Sequence, residues 1–317
     1  MKTVIAKFVG TVLAILILSF GGSTIVAQTV VILSTDSLTA TNRTVSGARS
    51  IIKERREAVV IHSVMLSAEP QKLAGDLDNV RALKPAIIVT VGSGATQIAK
   101  DNFVGLPIIF SAVKYPVISG FAQSVDHPGG NMTGASLDIP VEIQFRYLGQ
   151  IIPKLKRVGV LYTTNTAKLI APARVIANNM GIDLVAIEIA SQRDLPRALD
   201  SLAACTQALW SVADQNLFDP QTTKFILLNS LRMGLPFMGF SRHVVESGAL
   251  FALDFDYKAI GRQAGQIAVE VLQGANPGAI PVSTPDIIWF HYNENTAKRV
   301  GISMPAELMA IAKEVYR

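Results

Sequence analysis

The sequence predicts an α/β protein made of two doubly wound parallel-sheet lobes joined by a multi-strand hinge. Three observations carry that reading. Short β-branched runs alternate with amphipathic helices, which is the signature of parallel sheets covered on both faces. The units fall into two tandem series of about five each, rather than one long series. Near the middle, His127-Pro128-Gly129-Gly130-Asn131-Met132-Thr133-Gly134 interrupts the alternation and reads as a turn leading into a crossing strand. A closed eight-fold barrel suits the length, but that interruption argues against it.

Expected strands in the first series are Val30–Leu33, Ala58–Val64, Ala86–Val91 and Pro107–Phe110. In the second they are Arg157–Tyr162, Asp183–Ile189, Ala208–Val212, Pro236–Gly239 and Leu250–Leu253. Helices are expected near 43–56, 71–83, 95–101, 141–151, 167–180, 194–204 and 219–233. A further helix, Tyr257 to Gln273, stops at Gly274 with Pro277 beyond it. Short strands at Pro281–Ser283 and Ile287–His291 and two terminal helices complete the chain. The first lobe is expected to span 28–135, completed by about 254–280, and the second 136–253, completed by about 281–317. Several crossings between lobes make a hinge, with Thr133, Gly134 and Asp254 at its candidate positions.

The first 27 residues read as a secretory signal peptide. Lys2 and Lys7 precede an apolar run, Phe8 to Phe20, and small residues lead to Ala27. An uncleaved anchor is the rival reading, but the run is short for a span of about 20 residues. No cysteine lies near the cut, so a lipid-modified terminal Cys is not expected, and the expected location is the periplasm. Half the chain is hydrophobic and 17% is charged, which argues against disorder. Lys2 and Lys7 supply two of the five excess positive charges, and the rest are dispersed. There is no basic stripe to bind nucleic acid.

Cys205, the one cysteine, lies in an apolar helical run and reads as a buried small residue. His62, His127, His243 and His291 have no metal-ligand spacing, so neither metal nor cofactor is expected. Nucleophile elbow, phosphate loop, HExxH and close His–Cys pair are all missing, so an enzyme is not expected.

In open parallel sheets, ligands bind outside the carboxyl ends of the strands. In the first lobe those loops hold Ser34 and Thr35, then Ser93, Gly94, Ala95 and Thr96, then Ser111, Lys114 and Tyr115. In the second they hold Asn165, Asp214 and Ser241. Gly92 to Thr96 is the most telling: a small-residue turn opening a helix presents backbone N–H groups to an anion, with Ser93 and Thr96 adding hydroxyls. The same turn also fits a plain tight connection with Ser93 as cap. Asp214 either meets a ligand or caps the next helix. Tyr115, Tyr162 and Phe240 are either an aromatic wall or lobe core. Asp254 and Asp256 either cap the following helix or line the hinge.

The stretches PAIIVTVGSGATQIA, LPIIFSAVKYPVISGF, HPGGNMTGASL and LKRVGVLYTTNT occur in this order, followed by ESGALFALDFDYKAIGRQAGQIAVEVLQGANPGAIPV and YNENTAKRVGISMPAELMAIAKEV. Together they resemble one group of ABC-transporter substrate-binding proteins with the type I periplasmic-binding fold, some of which bind aromatic amino acids. The resemblance runs from about residue 30 to the end; its most specific pieces are Pro128–Gly134 and Asn293–Pro305. It implies a small ligand between the lobes, with Ser93 to Thr96 on one side and Asn165, Asp214 and Ser241 on the other. It also implies a monomer that delivers a small polar or amino-acid-like solute to an inner-membrane permease driven by a cytoplasmic ATPase. A periplasmic sensing subunit for a membrane kinase would use the same fold and cleft. Where relatives carry Asp-Pro after the fourth strand, this chain has Lys114-Tyr115-Pro116. That departure points toward a ligand more anionic or more aromatic than the family norm.

Overall fold

The computed structural model describes residues 28–317; the expected signal peptide lies outside the described residues. The chain opens with β1 (Thr29–Ser34), α1 (Thr39–Arg55), β2 (Val60–Met65), α2 (Pro70–Ala82) and β3 (Ile87–Val91). Then come α3 (Ser93–Asn102), β4 (Ile108–Val113) and β5 (Met132–Ser136). The second half runs α4 (Val141–Ile151), β6 (Arg157–Tyr162), α5 (Ala167–Asn179), β7 (Asp183–Glu188), α6 (Leu195–Cys205) and β8 (Ala208–Ser211). It continues through α7 (Pro220–Arg232), β9 (Phe237–Gly239), α8 (Arg242–Glu246), β10 (Phe251–Phe255) and α9 (Tyr257–Leu272). Last come β11 (Ile288–Asn293), α10 (Glu294–Arg299), α11 (Ala306–Ala310) and β12 (Ala312–Tyr316).

Two sheets result. The first has the order β2-β1-β3-β4-β5 and is parallel throughout. The second has the order β12-β11-β10-β9-β8-β6-β7, parallel except where β11 runs antiparallel to β10. Val30 to Leu33 and every residue of β3 and β5 are buried, as strands sandwiched between helix layers must be. Each sheet therefore carries apolar packing on both faces, with Ile32 and Val89 on one side of the first sheet and Val31 and Ile88 on the other.

Three segments cross between the lobes: 137–140 after β5, Asp256 after β10, and the return from α9 to β11. Although α9 follows the second-lobe strand β10, it packs on α1 of the first lobe. The return segment then runs beside β5. The Thr133 hydroxyl donates to the Ile280 carbonyl at 2.7 Å, and the Ser283 N–H donates to the Gly134 carbonyl at 2.9 Å.

The structure differs from the sequence reading in several places, the short helix α8 among them. Pro281–Ser283 is not a strand but contributes one bridge, Ser283 to Ala135 at the free edge of β5, because Pro281 and Pro285 on either side have no N–H to extend the pairing. The terminal helices are followed by β12, where pairing with β11 overrides a helix-favouring Ala-Lys-Glu composition. Cys205 is exposed at the end of α6, its thiol facing the Ser201 carbonyl, rather than buried. The cap position of α3 is Gly92, at φ 84°, not Ser93. Among the described residues, no helix is long and apolar enough to cross a membrane.

Candidate functional site

The carboxyl ends of β8, β9 and β10 face those of the first sheet across a cavity of about 850 Å³. The first lobe contributes Arg43 near the start of α1 and Lys114 and Tyr115 after β4. The second contributes Ala213, Phe240, Ser241 and the exposed side of α5. The first crossing contributes Asp138, and Asp254 of β10 and Tyr257 of α9 flank the second. Because β11 is antiparallel, its start also reaches the cavity and brings Trp289 there. The volume lies within the range of small-molecule sites.

The connection after β4 is backbone-strained. A register shift between Ser111 and Val113 accompanies φ 55° at Ala112, and Tyr115 sits at φ 52°. Left-handed conformations in non-glycine residues cost of order 1 kcal/mol each and persist where the surroundings hold them. Here Asp138 holds the turn: its carboxylate oxygens accept the Tyr115 N–H at 2.9 and 3.1 Å. The effect is to send Tyr115 across the cleft, where the Ala213 backbone N–H faces its phenol oxygen. Burial, with the Asp138 charge adding to it, pushes that phenol above the ordinary tyrosine range.

The same enclosure acts on the neighbouring charges. Burial pushes the Asp138 carboxyl up to about 7, against the opposing pull of the Tyr115 N–H and the Lys114 ammonium. Loss of hydration draws the Lys114 amine down, more than the nearby Asp138 and Asp254 carboxylates raise it. On the other side, His291 is buried and neither of its ring nitrogens has a hydrogen-bond partner. Glu314 Oε2 lies 3.4 Å from its Nδ1 but outside hydrogen-bonding geometry. Burial lowers the imidazole's pKa, with Asp254 and Glu314 pulling the other way.

One end of the cavity is apolar. Leu169, Pro172, Ala173 and Ile176 on α5 face it, and Trp210 closes it, donating Nε1–H to Gln144 Oε1 at 2.7 Å. A proline inside α5 removes one backbone donor from that helix and leaves a ring on the cavity side.

Of the residues expected at the site, Lys114, Tyr115, Ser241 and Asp254 line this cavity. Ser34, Thr35, Ser93, Gly94 and Asn165 stand at strand ends without lining it. Gly94 lies against the Thr35 side chain, so those two loops are neighbours. Ala95, Thr96 and Ser111 are fully buried inside the first lobe. The Thr96 hydroxyl bonds the Thr90 hydroxyl and the Gly92 carbonyl, each at 2.8 Å, because the turn that opens α3 folds it inward. Tyr162 packs on the second-lobe core.

Asp214 is 2% exposed and acts as a loop clasp. It accepts from Thr163 N and Oγ1, Thr166 Oγ1 and Asn216 N at 2.6–3.1 Å. Burial alone would raise its pKa, but these donors outweigh it and hold the carboxyl below the ordinary range. Thr133 and Gly134 lie within β5 beside the return crossing. Sequence reasoning missed Asp138, Trp289 and His291 as cavity residues. The signal available for Asp138 was an acid just before Pro140, at the exit of the crossing strand.

Comparison with known proteins adds the family. Residues 26–316 match the model described as ABC transporter substrate binding protein. A tyrosine-binding protein from Clostridioides difficile is 28% identical over 218 residues, 68% of this chain and 63% of that protein, so the chain matches less than two thirds of that relative's length. The structure of an ABC domain in complex with L-Trp from Streptococcus pneumonia superposes with a TM-score of 0.63 at 21% identity, covering 91% of this chain and 99% of that one. The ligand-free, open structure of a substrate binding protein with adhesive properties from Clostridium difficile gives a TM-score of 0.74 at 22% identity, covering 92% and 99%. At these identities the structures establish a shared fold, that of periplasmic binding proteins.

Proposed function

We propose, for a chain that belongs to the ABC transporter substrate-binding protein family, that it captures a small polar or amino-acid-like solute between its lobes by hinge closure and hands it to an import permease. Proteins of this family bind rather than catalyse, and those of importers work outside the cytoplasm with a membrane ABC transporter. The observation that carries the reading is the cavity of about 850 Å³ walled by both lobes and by the segments that cross between them. A solute touching both walls is held fully only when the lobes are together, so it shifts the population toward closure.

Lys114, Tyr115, Ser241 and Asp254 are the proposed contacts from the cavity lining. Ser34, Thr35, Ser93, Gly94 and Asn165 are proposed as rim groups, with Thr133 and Gly134 beside the hinge. A tyrosine-binding relative supports an amino-acid-like cargo. Thermal unfolding tests the proposal. A solute at one hundred times its Kd stabilises by about 2.7 kcal/mol, a rise of several degrees. At least one amino acid or related acid should produce that rise. A flat response across all of them counts against the reading.

A further inference from the structure

Among the described residues, four side chains bury a polar atom that no hydrogen bond satisfies: Ser111, Gln263, Ser283 and His291. Of these, His291 alone lines the cavity, and it alone leaves two such atoms, both ring nitrogens. A buried polar group without a partner costs stability, so its retention in the wall of a cavity points to a ligand that completes it. Strand register brings the imidazole there. Because β11 runs antiparallel to β10, His291 stands opposite Ala252 and Trp289 opposite Asp254, all four on one face of the sheet. On its other side β11 pairs in parallel with β12, and the register slips at Phe290/His291, where Lys313 is the extra residue. Bulges in parallel pairs are rare, and bulges gather where a side chain is re-aimed beside a site.

The surroundings decide what the imidazole offers. Glu314 is already engaged: its Oε2 accepts the Tyr316 hydroxyl at 2.6 Å and its Oε1 faces the Arg242 guanidinium at 3.4 Å. Its carboxylate also lies 3.4 Å from His291 Nδ1, which favours the ring proton there and leaves Nε2 with its lone pair. Burial keeps the ring neutral. Asp254, the diagonal neighbour across the strands, has acceptor capacity to spare. Its oxygens meet only the Phe255 N–H at 2.9 Å and the Arg242 N–H at 3.4 Å. Among the described residues, no cationic side chain comes within 4.0 Å of it. The cations of this corner are placed elsewhere, Arg242 against Glu314 and Lys313 over the Trp289 ring, 4.9 Å from its centre.

A free acceptor nitrogen beside a carboxylate is a seat for a hydrogen-bond donor. We propose that His291 is a specificity residue, whose Nε2 accepts a hydrogen bond from an ammonium or hydroxyl group of the solute beside the Asp254 carboxylate. A carboxylate of the solute is kept from this corner by Asp254 and Glu314. The inference rests on the solute-binding reading above and adds to it the residue that reads the donor.

Calorimetric titration of the purified protein with matched sets tests the proposal. Each set keeps the body and changes one substituent from ammonium to hydroxyl to hydrogen. The sets are L-leucine, 2-hydroxy-4-methylpentanoate and 4-methylpentanoate; L-phenylalanine, 3-phenyllactate and 3-phenylpropionate; and L-tryptophan, indole-3-lactate and indole-3-propionate. In at least one set the ammonium or hydroxyl member should bind about tenfold more tightly than the hydrogen member. His291→Leu should abolish that preference by weakening the donor-bearing member and leaving the hydrogen member unchanged. The same substitution should raise the melting temperature of the ligand-free protein, because it removes two unmet buried polar atoms. His291→Gln returns an acceptor and should restore part of the preference; it also serves as the test if the leucine variant does not fold. If His291→Leu keeps the preference, or weakens all members of a set equally, the proposal is overturned and the solute-binding reading stands. The same holds if the hydrogen member binds most tightly in every set. If no member of any set binds, the proposal also fails. The solute-binding reading is then decided separately, by mass spectrometry of small molecules released when the purified protein is denatured.

Discussion

Gly261→Leu prevents the first lobe from folding, and Gly261→Ala lowers the stability of the protein by roughly 3 kcal/mol. The reason is the crossing of α1 and α9, where backbone meets backbone. A Cβ at Gly261 would collide with the Thr44 carbonyl, and one at Gly47 would collide with the Lys258 carbonyl. At Gly265 it would strike the Ile51 side chain and the Ala48 carbonyl. Carbonyl groups cannot rotate aside as a side chain tip can, so the helices must separate. Separation uncovers Ala48, Ile52, Ala264 and Ala268, all buried against the first sheet. Because α9 joins two of the crossings, the same damage loosens the link between lobes. Urea unfolding followed by circular dichroism reads the effect as a shift of the midpoint. A loss below about 0.5 kcal/mol for Gly261→Ala would mean that the helices can move apart at little cost.

Asp214→Ala should cost about 3 kcal/mol, because it leaves buried Thr163 and Thr166 donors without their acceptor. Asp214→Asn should recover only part of this, since its amide presents one acceptor and places donors against donors. The pH dependence has a fixed sign. The folded carboxyl titrates below its ordinary value, so its contribution is complete above the ordinary carboxylate range and disappears as pH falls through the folded value. Wild type and Asp214→Asn should therefore differ in melting temperature at pH 6 and converge in strong acid. Equal melting temperatures at pH 6 would show that the clasp contributes nothing. The clasp also shapes the loops after β6 and β8, and Ala213, which faces the Tyr115 phenol, lies beside it.

The strands were legible because most are buried on both faces, and Val30–Leu33, Ile87–Val91 and Val158–Leu161 are continuous runs of branched and small residues. β12 was not, because an edge strand with alternating exposure and an Ala-Lys-Glu composition carries a helical propensity that only pairing with β11 overturns. Strand-end logic found Lys114, Tyr115 and Ser241 from the parallel order alone. It did not reach Trp289 and His291, which enter the site only because β11 runs backwards, and strand direction has no local signal. It placed Thr96 and Ser111 at the right ends of the right strands but could not tell which way their hydroxyls turn. Asp138 belongs to no motif. Its importance comes from the strained Tyr115 it holds, which is a property of the folded chain.

On the proposed function, the lobes close on a solute. The most direct measurement is a pulsed electron–electron distance between spin labels on the two lobes, at Gln97→Cys on α3 and Lys168→Cys on α5. Both positions are exposed, and exposed Cys205 is replaced by serine. Titration with the solute that gives the largest thermal stabilisation should move the distance distribution to a single shorter population, in step with calorimetric saturation. A solute that saturates the protein and leaves the distribution unchanged would contradict closure.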